Sequence, residues 1–271
     1  MIELTQQNYY DKATDYEYMS FSLFKNFLAN PARAMADLKD EYPWFDDNKA
    51  LLVGNYLHSY FEGKEAHQKF IDANPELFST RGASKGQLKT DFMLAQQMID
   101  RLLAEPQFVA SIDRAVDREV IVTGTINEVP WKGKIDALDV ENGLFYDFKT
   151  VKSLVDDGAV WDNEKRERVT FIQSRRYDMQ MAIYSELLQQ QYGKEFTPVI
   201  WAVSKDKKEQ LAKPYIITEA TMEEALDDVI NLQQDVLDYI NGSKQPELVD
   251  DGSPFYNKVH RVTNQSDYKM I

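Results

Sequence analysis

Residues 115–150 constrain the fold of this chain more than any other stretch. Residues 115–126 are rich in β-branched side chains, Asn127-Glu128 reads as a tight turn, and residues 129–139 continue the strand pattern. Asn142-Gly143 is a strong hairpin signal, and Leu144-Phe145-Tyr146-Asp147-Phe148-Lys149 follows it. Three antiparallel strands in succession are expected. A meander of this kind must bury at least one face, so the rest of the chain has to supply its cover.

The flanking segments supply it as helices. Residues 20–40 read as helical, with Ser20 or Ser22 as cap and a stop at Asn30 before Pro31. Residues 49–66 carry Leu52, Tyr56 and Tyr60 at helical spacing, and the following stretch is broken by Pro75, Gly82 and Gly86. A further helix is expected over 87–104, ending near Pro106. Beyond the meander, residues 151–168 read as a polar, mobile loop, and 170–192 as one long helix along Met179, Ile183 and Leu187. Strands are expected at 196–204 and 211–218. Thr221-Met222-Glu223-Glu224 reads as a capping box opening a helix to about 240. The tail from Asn241 reads as a loosely docked extension. The order predicts a mixed α/β (α+β) fold around one sheet, in a single domain of residues 1–271. Its core spans about 20–240, and 241–271 form a C-terminal extension.

Composition narrows the chemistry. The 271 residues include no cysteine, which excludes disulfides, zinc–thiolate sites, iron–sulfur clusters and cysteine nucleophiles. The N-terminus lacks the basic start and apolar run of a signal peptide, and no stretch approaches the ~18 apolar residues of a membrane span. A soluble, cytoplasmic protein without membrane contact is expected. The formal net charge of −14 opposes nucleic acid as a partner, because phosphate contacts need Lys and Arg. A metal-dependent site escapes part of that objection, since bound divalent ions offset its carboxylates. Local basic groups exist at Lys165-Arg166-Glu167-Arg168, at Arg175-Arg176, and at Lys205, Lys207 and Lys208. Each also fits a solvated surface. Together they could line a groove.

The chemistry concentrates on the meander. Asp147 and Lys149 are two apart on one strand and project from the same face. Asp136 lies on the preceding strand, across the Asn142-Gly143 turn, where it can meet Asp147. Converging carboxylates repel, and a hard divalent cation such as magnesium removes the repulsion. A lysine beside that ion can orient or deprotonate a water that attacks a phosphodiester. Asp…Asp-x-Lys alone fits an exposed hairpin with charged residues on its solvent face better. Phe145, Tyr146 and Phe148 argue for a buried strand, where unpaired charge is costly.

Gly133-Lys134-Ile135-Asp136, a short turn, then Asp147-Phe148-Lys149-Thr150 resembles motif II of PD-(D/E)XK nucleases, above all the RecE-like (exodeoxyribonuclease VIII-like) and RecB-type branch. Two further motifs agree in order and position. Gly54, His58 and Glu62 share a helical face upstream, and Gln180 and Tyr184 share one downstream, with Tyr177 near. A histidine on a half-buried helix, or a Gln and a Tyr four apart, means little alone. The start at Ser22-Leu23-Phe24-Lys25-Asn26-Phe27 and Asn30-Pro31 is similar too, so the resemblance covers roughly 20–205.

The resemblance implies a restriction-endonuclease-like core, a central mixed sheet with an antiparallel meander flanked by helices. It implies a metal-dependent exodeoxyribonuclease acting on the ends of linear double-stranded DNA, resecting them for recombination, as found in phages and prophages. His58, Asp136, Asp147 and the Phe148 carbonyl would hold Mg2+ or Mn2+, and Gly54 would let its helix approach closely. Lys149 would act on water, Glu119 would orient it, and Gln180 and Tyr184 would support the site. Lys165, Arg166, Arg168, Arg175 and Arg176 would contact DNA. A single-strand annealing recombination protein and further copies of the chain are the implied partners. A non-catalytic DNA-binding or adaptor protein, and an endonuclease, remain open on the same fold. The absence of cysteine departs from relatives that carry an iron–sulfur cluster. The low basic content is a second departure.

Overall fold

The protein, described from a computed structural model, is defined over residues 1–45, 49–162, 166–206, 208 and 210–260. A short helix α1 (Lys12–Asp15) and a two-residue strand β1 (Met19–Ser20) lead in. Helices α2 (Phe21–Ala29), α3 (Pro31–Leu38), α4 (Lys49–Glu62), α5 (Lys64–Ala73), α6 (Thr90–Leu103) and α7 (Pro106–Arg114) precede the meander. The meander is β2 (Asp117–Ile126), β3 (Val129–Asp139) and β4 (Leu144–Val151). A small hairpin follows, β5 (Val160–Asp162) and β6 (Glu167–Val169), then helices α8 (Phe171–Ser174) and α9 (Tyr177–Tyr192). Strands β7 (Thr197–Ser204) and β8 (Ala212–Tyr215) and helices α10 (Glu219–Asn241) and α11 (Pro254–Val259) complete the described residues.

The main sheet is mixed. The meander pairs antiparallel, β4 runs parallel to β7, β8 returns antiparallel, and β1 lies parallel to β3. Each face carries its own core. Trp131, Ile135, Leu138, Phe145 and Ile200 pack with α2, α3, α9 and α10. Ala137, Tyr146, Phe148 and Trp201 pack with α4, α6 and α7. The expected architecture, a mixed α/β fold with a central sheet between helices, is what the chain adopts. The Asn127-Glu128 turn has φ of +45° and +69°, the paired left-handed residues that a two-residue hairpin needs. At the second turn Asp139 Oδ1 accepts from the Asn142 backbone N–H at 3.1 Å, and Gly143 takes φ +65°.

Several boundaries differ from expectation, each for a local reason. Residues 20–40 form two helices. Ser20 caps the first, and Asn30 both ends it and caps the second, accepting from Arg33 N–H at 3.1 Å. Pro31 therefore starts a helix, at the position where its missing N–H is harmless. Pro106 does the same for α7. The expected loop at 151–168 contains the β5–β6 hairpin. The expected helix over 170–192 is broken at Arg176, whose φ is +53°. Thr170 caps the first piece in a capping box with Gln173. Thr218, not Thr221, caps α10, and Thr221 donates its backbone N–H to it. The C-terminal segment is tied down more firmly than expected. Asn30 Nδ2 donates to Val249 O at 3.1 Å and to Asp251 Oδ2 at 3.0 Å, and Phe255 is buried.

Candidate active site

The site forms where β3 and β4 part. Their ladder pairs Asp139 with Leu144, Leu138 with Phe145 and Ala137 with Tyr146, then stops. One further step would set Asp136 against Asp147. Beyond the gap, β1 takes over the edge of β3 at Trp131 and Lys132. On the other edge of β3, the register places Glu119 opposite Asp136, between the Arg118–Ala137 and Val120–Ile135 pairs. Glu119 interrupts that ladder with φ +50°, and its carbonyl accepts from Gln6 Nε2 at 2.6 Å. A non-glycine residue held there stores about 1–3 kcal/mol of strain, which the surroundings must offset. Ile135 and Leu138 both join the core that contains α9, while Ala137 joins the other. Strict alternation of side chains thus slips once, beside Asp136.

Two sets of groups converge on the gap. In the first, His58 Nδ1 on α4 lies 3.2 Å from Asp136 Oδ1, and Asp136 Oδ2 accepts from the Phe148 backbone N–H at 2.6 Å. Glu119 Oε2 lies 2.8 Å from Lys134 Nζ. One ligand atom each from His58, Glu119 and Asp136 lie within 4.8 Å of one another. In the second set, Asp147 Oδ1 accepts from Gln180 Nε2 on α9 at 3.2 Å. Lys149 Nζ is 2.6 Å from Asp147 Oδ2 and 4.7 Å from the centre of the Tyr177 ring. The buried Oδ2 therefore has the Lys149 ammonium as its partner. A cavity of about 660 Å³ joins both sets, lined by His58, Glu119, Asp136, Asp147, Lys149, Gln180 and Tyr184 among others.

The charges hold one another in unusual states. Burial opposes a charged His58, but Asp136 outweighs it and raises the imidazole to about 9. Burial also opposes the Asp136 carboxylate, yet His58 beside it keeps its pKa below the ordinary value. Asp147 is pushed up to about 6 by burial, with Asp136 adding to the push and Lys149 opposing it. Burial disfavours the Lys149 ammonium, but Asp147, Tyr177 and Asp136 win and hold it protonated. Before any ion binds, Lys149 is therefore a donor that can orient a water, not a base that can deprotonate one. Burial and Asp136 raise Glu119, with Lys134 opposing. The Glu119 and Asp136 carboxylates and the His58 imidazole, with the buried Asp147 across the cavity, fit a hard divalent cation.

The structure gathers seven expected residues: His58, Glu119, Asp136, Asp147, Lys149, Gln180 and Tyr184. Phe148 contributes its backbone, while its ring is buried against Phe61 and Phe108. None of the described residues of the expected DNA-contact stretch lines the catalytic cavity. Lys165, like Lys207, lies outside the described residues. Arg176 is paired with Asp178 and Asp228, and neither Arg166 nor Arg176 lines the catalytic cavity. Arg168 and Arg175 line a different cavity. Gly54 does not serve close approach, because a Cβ there meets nothing within 4 Å. The close approach is at Gly133, where a Cβ would lie 2.8 Å from Tyr184 Cε1. Tyr9 and Tyr10 also line the cavity, with Lys134 Nζ 5.1 Å from the Tyr10 ring centre. No local pattern in the polar N-terminus signals that role.

Residues 20–251 match the PDDEXK-like domain of unknown function, DUF3799. The chain belongs to this PDDEXK-like family. The parted hairpin with its Asp136, Asp147 and Lys149 is thus carried on a PD-(D/E)XK fold. A protein from Eubacterium rectale, whose crystal structure is described as that of a putative exonuclease, superposes with a TM-score of 0.85. The two are 26% identical, over 97% of this chain and 96% of that one. Another structure, SSO0001, aligns at a TM-score of 0.25 and 13% identity over 69% of this chain and 87% of that one. No curated protein matches the sequence. Among the described residues, no helix is long and apolar enough to cross a membrane.

Proposed function

We propose that this PDDEXK-like protein is a metal-dependent exodeoxyribonuclease, of RecE-like type, that digests linear double-stranded DNA. One observation carries the reading. The Lys149–Asp147 pair faces the His58, Glu119 and Asp136 cluster across one cavity, which puts a fixed cation beside a site for a mobile one. The description of the Eubacterium rectale protein as a putative exonuclease supports it.

His58, Glu119, Asp136 and Asp147 are the residues to hold magnesium or manganese. When bound, such an ion supplies Lewis-acid activation of water and neutralises phosphate charge. The protein's own groups do the rest. Lys149, held protonated by Asp147, donates toward the attacking water and the phosphate. Gln180 fixes the Asp147 carboxylate by binding its other oxygen. Tyr184, packed over Gly133, sets the wall of the cavity beside Gln180. Resection would leave single strands, so the reaction consuming the product would be strand annealing.

The deciding experiment offers linear and covalently closed duplex DNA to the protein, with magnesium or with chelator. Magnesium-dependent loss of the linear form alone is the expected result. Cutting of the closed circle would make the protein an endonuclease. No cleavage with either metal, alongside intact binding, would make it an adaptor.

A further inference from the structure

A second cavity, of about 740 Å³, lies next to the catalytic one. Three elements each give residues to both. From α2, Ser22 faces the catalytic cavity and Lys25, one turn on, faces the second. From β4, Asp147 and Lys149 line the first, and Thr150 and Val151 the second. From α9, Gln180 and Tyr184 line the first and Tyr177 the second. The two cavities border one another along these three elements, with Lys149 of the first in contact with Tyr177 of the second.

The second chamber is basic in a chain whose formal net charge is −14. Lys25, Lys152, Arg168, Arg175 and Lys205 all line it. Among the described residues, none of the five has a carboxylate at ion-pair distance. The other cations lining the two cavities differ, since Lys134 pairs with Glu119 and Lys149 with Asp147. Asp156 also lines the chamber, but it is exposed and pairs with none of them. Lys25 is half-buried, and burial together with Lys149 and Arg175 pulls its pKa down to about 8. Burial and Arg175 likewise lower Lys205. Like charges crowded without a counter-ion are unfavourable in the empty protein, and an anion relieves them. Hydroxyls of Thr150, Ser153 and Ser174 line the same walls, and Phe45, 52% exposed, offers a face on which a base can stack.

We propose that this chamber binds the phosphates of the DNA strand being cut, next to the scissile phosphodiester, and that Lys25, Arg175 and Lys205 are its anchoring residues. The proposal rests on the nuclease reading and specifies where its substrate lies. A strand suits the site better than a free phosphate, because the chamber borders the catalytic cavity along three shared elements. It also moves the DNA contacts off Arg166 and Arg176.

The test measures binding of short duplexes by fluorescence anisotropy against salt, with calcium in place of magnesium. Probes carry a 5′-phosphate, a 5′-hydroxyl or a 3′-phosphate. The variants are Lys25→Gln/Arg175→Gln/Lys205→Gln and, on exposed positions alone, Lys152→Ala/Arg175→Ala. Arg166→Ala/Arg176→Ala is the control. The triple variant should bind at least about tenfold more weakly at ~0.1 M salt, with the slope of log affinity against log salt flatter by roughly two to three units. The exposed pair should flatten it by roughly one to two units, and the control should leave it unchanged. Loss confined to one phosphorylated end means that the chamber holds a terminal phosphate. Equal loss on all probes means that it holds internal ones. Unchanged binding by both chamber variants, in a protein that still digests DNA, overturns the chamber and leaves the nuclease reading standing. Weakened binding in the chamber variants of a protein that cleaves nothing overturns catalysis and keeps the chamber. No binding by the unmodified protein overturns both.

Discussion

The Phe148 backbone N–H donates to Asp136 Oδ2 at 2.6 Å, across the gap where β3 and β4 cease to pair. A side chain thus replaces a ladder bond, and the same carboxylate binds His58 through its other oxygen. Asp136 is both a candidate metal ligand and the strut of the fork. Asp136→Asn keeps an acceptor for Phe148, whereas Asp136→Ala leaves a buried N–H unmet. Both variants should lose cleavage. Alanine should be less stable than asparagine by about 1–3 kcal/mol in urea unfolding. Equal stability would mean that the strut is unimportant.

Lys149→Ala should lower the rate of cleavage by roughly 10²–10³, the range for one preorganised hydrogen-bond donor. DNA affinity measured with calcium should stay within about threefold, because one phosphate contact of several is lost. Undiminished digestion by this variant would remove Lys149 from the chemistry.

His58 links metal binding to pH. Its pKa is raised from 6.5 to about 9, so the imidazolium stabilises the metal-free fold. That contribution is complete below pH 6.5 and fades as pH rises through about 9. Asp147 behaves alike lower down, its contribution complete below 3.8 and gone above about 6. The thermal midpoint of chelated protein should fall between pH 6.5 and 9, and His58→Gln should flatten that fall. A ligating His58 must lose its proton, so manganese binding at pH ~7.5 should release about one proton. Calorimetry in buffers of different ionisation enthalpy measures this directly. No release would take His58 out of the ligand set.

Two glycines should behave oppositely. At Gly133 an added Cβ would lie 2.8 Å from the Tyr184 ring, while at Gly54, within α4, it meets nothing. Gly133→Ala should destabilise by about 1–3 kcal/mol and slow cleavage by displacing Tyr184. Gly54→Ala should stabilise by roughly 0.5–1 kcal/mol through helix propensity alone. Denaturant titration of both variants checks the pair.

The sequence by itself determined the meander. Period-two patterning and the turn residues Asn127-Glu128 and Asn142-Gly143 act within a few residues, so they are legible locally. The fork residues Asp136, Asp147 and Lys149 were legible for the same reason. His58, Gln180 and Tyr184 were legible only through their order along the chain, since nothing local says that α4 and α9 meet the fork from different elements. The stop at Asn30 was legible, but the helix that starts there was not, because Asn30 does two jobs, ending one helix and capping the next. Only the tertiary structure decided the rest. It set Glu119 opposite Asp136 with a left-handed backbone, brought Tyr9 and Tyr10 across from the N-terminus, and left Gly54 in open space. It also sorted the basic residues. Arg175 and Arg176 are neighbours in sequence, but the left-handed turn at Arg176 sends one to the second cavity and the other to Asp178 and Asp228. Lys25, Arg175 and Lys205 are far apart along the chain and share no local pattern. Charge is a long-range quantity, and packing alone determined which charges were neutralised and which were left facing the cavity.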